Sequence, residues 1–131
     1  MSSKSKSLLQ LVTRDPRYKP VAYEFLFEAL EFTRGNLAKN RGGKVRHISG
    51  LELLDGIRVL GLNQFGLMAK TVLNQWGIFS TSDFGEMVFN LIESGEMEKL
   101  DQDSRSEFEN VYDFDEAFSR DYQIEVEEPD V

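Results

Sequence analysis

Cysteine is absent from this 131-residue chain. Its absence excludes disulfides, thiolate nucleophiles and zinc sites built on sulfur. Histidine occurs once, as His47, so a metal centre would have to draw several carboxylates from elsewhere in the chain. No apolar run approaches the ~18 residues of a membrane-spanning helix. Lys4 and Lys6 precede only a short apolar patch, Leu8 to Val12. That patch is too short for a signal sequence and runs straight into Arg14-Asp15-Pro16-Arg17, with no small-residue cleavage site. These absences lead us to expect a cytoplasmic protein with no membrane association.

What is present is a globular composition, 40% hydrophobic and 29% charged, in a chain of one domain's length. We expect a single globular domain over residues 1–126 and an acidic, flexible tail over 127–131. The net charge of −8 conceals a segregation. Residues 1–46 hold ten Lys/Arg and four Asp/Glu, a net of +6, whereas residues 47–131 hold five and nineteen, a net of −14. A net acidic chain is repelled by nucleic acid at long range, although a local basic patch can still dock.

The patterning is helical. Ser7 to Thr13 is a short helix candidate, ended by Asp15-Pro16. A second begins at Pro20, a favoured first helical residue because its missing N–H would be unpaired there. Ala22, Phe25, Leu26, Ala29, Leu30 and Leu37 carry it to about Ala38. Ser49-Gly50-Leu51-Glu52 reads as a capping box opening a helix that stops at Gly66. Another spans Leu67 to Gln75 and closes at Trp76-Gly77. The next starts at Ser80 or Thr81, and its Phe84, Met87, Val88, Leu91 and Ile92 form the cleanest amphipathic stripe in the chain; Gly95 ends it. Gly56 and Gly61 inside a helix cost about 1 kcal/mol each against alanine, which predicts close helix contacts there. Ser104-Arg105-Ser106-Glu107 reads as a second capping box. Phe108, Val111, Tyr112, Phe114 and Phe118 then predict that the acidic segment docks on the core. The fold expected is mainly α, a compact multi-helix single domain. Two or three short strands are compatible with it, Val45–Ile48 and Tyr122–Val126 being the candidates. A winged-helix-like α+β arrangement is the runner-up.

Motifs that carry chemistry are few. Asp83-Phe84-Gly85 spells the metal-binding tripeptide of protein kinases, but the glycine-rich loop and the catalytic His-Arg-Asp are missing. Phe84 is a stripe residue, and Asp83 in a first turn suits the helix dipole. Asp101-Gln102-Asp103 begins like a calcium loop, yet Arg105, Ser106 and Tyr112 stand where an acid, a glycine and a bidentate glutamate are needed. Lys39, Arg41, Lys44 and Arg46 surround Gly42-Gly43 and could meet phosphates, without the Gly-Lys-Ser/Thr ending of a nucleotide loop. His47 with Glu52, Asp55 and Arg58 is the one polar group that could converge into an active site. The segment Leu73 to Leu91 invites a helix-turn-helix reading, but its second helix carries Asp83, Glu86 and Glu93 and no cation to approach phosphates.

Several phrases together resemble one family. They are Asp15-Pro16-Arg17-Tyr18 with Ala22-Tyr23-Glu24-Phe25, His47-Ile48-Ser49-Gly50 with Glu52-Leu53-Leu54, and Gly56-Ile57-Arg58. Phe65-Gly66, Ala69-Lys70-Thr71-Val72-Leu73, Trp76-Gly77-Ile78 and Asp83-Phe84-Gly85-Glu86-Met87-Val88-Phe89 complete the set. The chain looks like a member of a small bacterial family known mainly from planctomycetes, verrucomicrobia and related lineages. That resemblance implies a one-domain bacterial cytoplasmic protein and supplies no activity.

On function, the missing catalytic constellation and the surplus apolar residues Phe27, Phe79, Phe89 and Met97 favour a non-enzymatic protein–protein interaction or regulatory module, with a homodimer as the simplest partnership. No cofactor or metal is expected. The alternatives are nucleic-acid or polyanion binding through Lys39, Arg41, Lys44 and Arg46, and an enzyme centred on His47.

Overall fold

Backbone groups at helix ends need partners, and the residues that supply them set the architecture. In the computed structural model, residues 3–40, 42–43, 48–95 and 105–119 are described, with side chains of the first helix from Leu8 onward. The helices are α1 (Ser3–Arg14), α2 (Pro20–Asn40), α3 (Gly50–Phe65), α4 (Ala69–Gln75), α5 (Thr81–Glu93) and α6 (Phe114–Ala117). Single 3-10 turns occur at Gly66–Met68 and Arg105–Phe108. Among the described residues the fold is all-helical. Ile48 is buried but not in a strand. The rest of the Val45–Ile48 strand candidate, the Tyr122–Val126 candidate, Met97 and the 127–131 tail lie outside the described residues.

The expected punctuation is largely present. Ser49 Oγ accepts from Glu52 N at 3.1 Å and Glu52 Oε1 accepts from Ser49 N at 2.9 Å, so the capping box that opens α3 is complete. Gly66 closes α3 by donating its N–H to the Leu62 carbonyl. The helix expected from Leu67 starts instead at Ala69, because Gly66–Met68 tightens into a 3-10 turn.

Two glycines are required by the packing. A Cβ on Gly56 would lie 1.8 Å from Thr33 Oγ1, so this glycine is what lets α3 press against α2. Gly77, at φ +97°, turns the chain between α4 and α5, and a Cβ there would sit 2.1 Å from the Arg17 carbonyl oxygen. The linker between α1 and α2 therefore lies directly on this turn, and Lys19 N donates to the Trp76 carbonyl at 3.2 Å. Gly61, also expected to sit at a close contact, faces the Phe118 ring at 3.3 Å from a built Cβ.

The core is one cluster. Tyr18, Tyr23, Leu26, Leu53, Leu54, Ile57, Leu73, Ile78, Phe84 and Met87 are all fully buried. The acidic C-terminal segment belongs to it through Phe108, Phe114, Ala117 and Phe118. Phe114 stacks edge-on to Phe118 at 5.4 Å and tilts against Phe84 of α5 at 6.3 Å. Glu107 reaches back 57 residues, while Ser104, its expected capping-box partner, lies outside the described residues. Its Oε1 accepts from Gly50 N at 2.8 Å, at the start of α3. A carboxylate at a helix N-terminus satisfies an orphan donor and the dipole together.

Candidate functional site

Where α2 and α3 meet at Thr33 and Gly56, the contact forms the floor of an open groove of ≈ 490 Å³. Phe32 and Leu37 from α2 and Leu51 and Val59 from α3 give it an apolar lining. Asn36, Lys39 and Asn40 rim the α2 bank, and Glu52 and Asp55 rim the α3 bank. The placement follows from sequence. Phe32, Asn36 and Lys39 recur at helical spacing along α2, and Leu51, Asp55 and Val59 do so along α3, each set presenting one face. Leu51 is 54% exposed although it stands in the first turn of a helix whose other leucines are almost all covered.

The residues singled out from sequence divide across this site. Lys39, from the basic stretch, and Glu52 and Asp55, from the His47 group, line the same groove. Arg58 does not line it. Its side chain is 5% exposed and meets Asp55 Oδ1 at 2.8 Å, while the Asp55 side chain remains 67% exposed. Glu52 is committed to the cap of α3. Glu52 and Asp55 thus have structural partners at α3. Arg41, Lys44, Arg46 and His47 lie outside the described residues. Among the described residues no cluster of three His, Cys, Asp or Glu side chains could hold a metal ion, and no helix is long and apolar enough to cross a membrane.

Of the apolar residues expected to remain outside the core, Phe79 is 66% exposed and Phe89 37%, whereas Phe27 is half-buried. Phe79 stands beside a second opening of ≈ 600 Å³ lined by Val111, Tyr112 and Asp113, with the Lys70–Asp115 ion pair across its rim.

A third constellation was not anticipated. Asp15, at the end of α1, accepts from Arg17 Nε at 2.9 Å, from the second guanidinium nitrogen at 2.8 Å and from Asn90 Nδ2 at 2.8 Å. Asn90 also donates to the Tyr23 hydroxyl at 3.1 Å. Tyr18 donates its hydroxyl to Asp83 Oδ1 at 2.6 Å, and Asp83 Oδ2 accepts from Phe79 N and Ser80 N. Arg17 lies over the Tyr18 ring at 5.1 Å and reaches Glu86 at 3.5 Å. The Arg17 hydrogen bonds hold the Asp15 carboxyl well below the usual carboxylate range and in turn raise the Arg17 guanidinium. Burial, then the hydrogen bond to Asp83, raises Tyr18; burial raises Tyr23. Both carboxylate oxygens of Asp15 and of Asp83 accept within this network, so it works as a clamp between the α1–α2 linker and α5. The signal that could have found it is the spacing of Asp83, Glu86 and Asn90 at i, i+3 and i+7. It places three polar residues on one face of α5, opposite the Asp15-Pro16-Arg17-Tyr18 phrase. This lays the Asp83, Glu86 and Asn90 face of α5 against the α1–α2 linker.

Comparison with known proteins returned no matching family model, no matching curated protein and no matching solved structure.

Proposed function

We propose that this protein is a non-enzymatic interaction module whose α2–α3 groove receives a protein partner. The observation that carries this reading is Leu51, a large apolar side chain 54% exposed at the edge of a groove lined by Phe32, Leu37 and Val59. Apolar floors with polar rims are how folded domains receive a helix or an apolar ridge. The carboxylates nearby are engaged in a cap and an ion pair, which supports binding over catalysis. A cytoplasmic location and membership of the bacterial family that the sequence resembles belong to the same proposal.

The test is site-specific photo-cross-linking in cells. A benzoylphenylalanine at position 51 is compared with one at Thr71, an exposed residue of α4 outside the groove. Protein adducts formed through position 51 and absent at position 71 are the expected result. Equal or absent adducts at the two positions would sink the reading.

A further inference from the structure

The groove carries a charge pattern that is complementary to itself. Its α2 bank ends in a cation, Lys39, and its α3 bank carries the carboxylates of Glu52 and Asp55. A twofold axis running along the groove lays the α2 bank of one copy over the α3 bank of the other. In that arrangement each Lys39 faces the partner copy's carboxylates, and each exposed Leu51 is brought over the partner's groove. A self-complementary patch is what an isologous contact requires, since the same surface must serve both sides. A non-self partner would need no such pairing of opposite charges across one groove.

We propose that the occupant of the α2–α3 groove is a second copy of this chain, in an isologous dimer closed by reciprocal Lys39–Asp55 contacts around Leu51. This rests on the interaction reading above and names the partner. Arg58 holds one oxygen of Asp55 from within the same helix, and the carboxylate stays 67% exposed, so it remains open to a partner's ammonium. A standard interface covers about 800 Å² per partner, roughly a tenth of the 7639 Å² surface of this chain. The groove occupies only about two turns of each helix, so the dimer belongs at the weak end of that range, with a dissociation constant on the order of 10 μM.

The experiment is sedimentation equilibrium on the purified full chain, followed by a charge-swap mixture. Wild type is expected to pass from monomer to dimer between about 1 and 100 μM. Leu51→Asp and Lys39→Glu are each expected to stay monomeric at concentrations where wild type is dimeric. Asp55→Lys should do the same; Asp55 is chosen because Glu52 closes the cap of α3. Lys39→Glu paired with itself sets acid against acid, and Asp55→Lys paired with itself sets base against base. Mixed together, they restore two opposite-charge contacts, so only the mixture should dimerise.

Restoration by mixing distinguishes a contact between copies from one across the groove of a single copy, which mixing cannot repair. Should Asp55→Lys fail a circular dichroism check, Leu51→Asp and Lys39→Glu decide the matter by the monomer they must give. A wild type that stays monomeric at about 500 μM, a dimer indifferent to Leu51→Asp, or a mixture that stays monomeric would each overturn the proposal. A monomeric wild type that still cross-links a different protein through position 51 overturns the second copy alone and leaves the interaction reading standing.

Discussion

Gly56 and Gly35 lie inside helices, where alanine is ordinarily favoured by about 1 kcal/mol. The neighbours decide the sign. At Gly35 nothing lies within 4 Å of a built Cβ, so Gly35→Ala is expected to stabilise by about 0.5–1 kcal/mol. At Gly56 the same methyl would meet Thr33 Oγ1 at 1.8 Å. Thr33 is held in place, since it is 5% exposed and donates to the Ala29 carbonyl at 2.7 Å. Gly56→Ala is expected to cost about 1–3 kcal/mol through overpacking. Thermal unfolding of the two variants should move in opposite directions; a rise for Gly56→Ala would mean the helices can separate without loss.

Asp15 offers a second residue-scale prediction, with a pH dependence. Its folded carboxyl is depressed, chiefly by Arg17, while the unfolded group titrates at about 3.9. The unfolded chain therefore binds more protons as the pH falls. The contribution of Asp15 is full above about pH 4 and is lost as pH drops through the folded value. Asp15→Asn should lower the melting temperature at pH 7, and the gap to wild type should narrow below about pH 4. Calorimetry from pH 7 to pH 2 reads this directly; a gap that stays constant would assign Asp15 a packing role only.

At the scale of elements, Phe108 is the side chain of the C-terminal segment that contacts both α3 and α5 at their glycines, beside the buried Phe114, Ala117 and Phe118. The Phe108 ring lies against Gly50 at the start of α3, and its Cβ lies against Gly85 in α5. Built Cβ atoms on these glycines would come within 2.9 and 2.8 Å of it. Beside it, Glu107 caps Gly50 N. Phe108→Ala is expected to cost about 3–5 kcal/mol, and Glu107→Ala about 1 kcal/mol through the lost cap. Urea unfolding should rank them in that order. A Phe108→Ala cost below that of Glu107→Ala would mean that the segment is held by Phe114 and Phe118 instead. The helices themselves were legible, because Pro20, the Ser49–Glu52 box and Gly66, Gly77 and Gly95 act over a few residues. Burial of Phe108, Phe114 and Phe118 was legible as well, since aromatics in an acidic run need a core. The long-range partners were not. Glu107 satisfies the local pattern of a capping box, and only the fold reveals that its acceptor serves α3. Likewise Asp83 reads as a first-turn acid suited to the helix dipole, and only the fold lays the linker of Tyr18 and Arg17 against it and Glu86. The exposure of Leu51 was not legible either, because periodicity marks a face without saying whether anything covers it.

Across the whole molecule, stability is unevenly distributed, and the unevenness predicts an order of opening. Helix α3 buries Leu53, Leu54, Ile57 and Leu60, and α5 buries Phe84, Met87, Val88 and Leu91. From Leu8 onward α1 buries only Leu8 and Leu11, with Val12 half-covered. Two such leucines contribute about 3–6 kcal/mol between them, so opening α1 exposes far less apolar surface than opening α3 or α5. Free energies of local opening follow that surface. The Asp15 clamp sets where the opening stops, because beyond it Asn90 and Tyr23 tie the linker to α5 and α2. Hydrogen exchange followed by mass spectrometry should show amides 8–14 exchanging well before amides 53–62 and 84–91, with the boundary at Asp15. In Asp15→Asn that boundary should move toward α2, exposing amides 17–19. Equal protection of α1 and α3 in the wild type would mean that α1 opens only when the whole molecule unfolds, and that its two leucines are coupled to the core more tightly than their number implies.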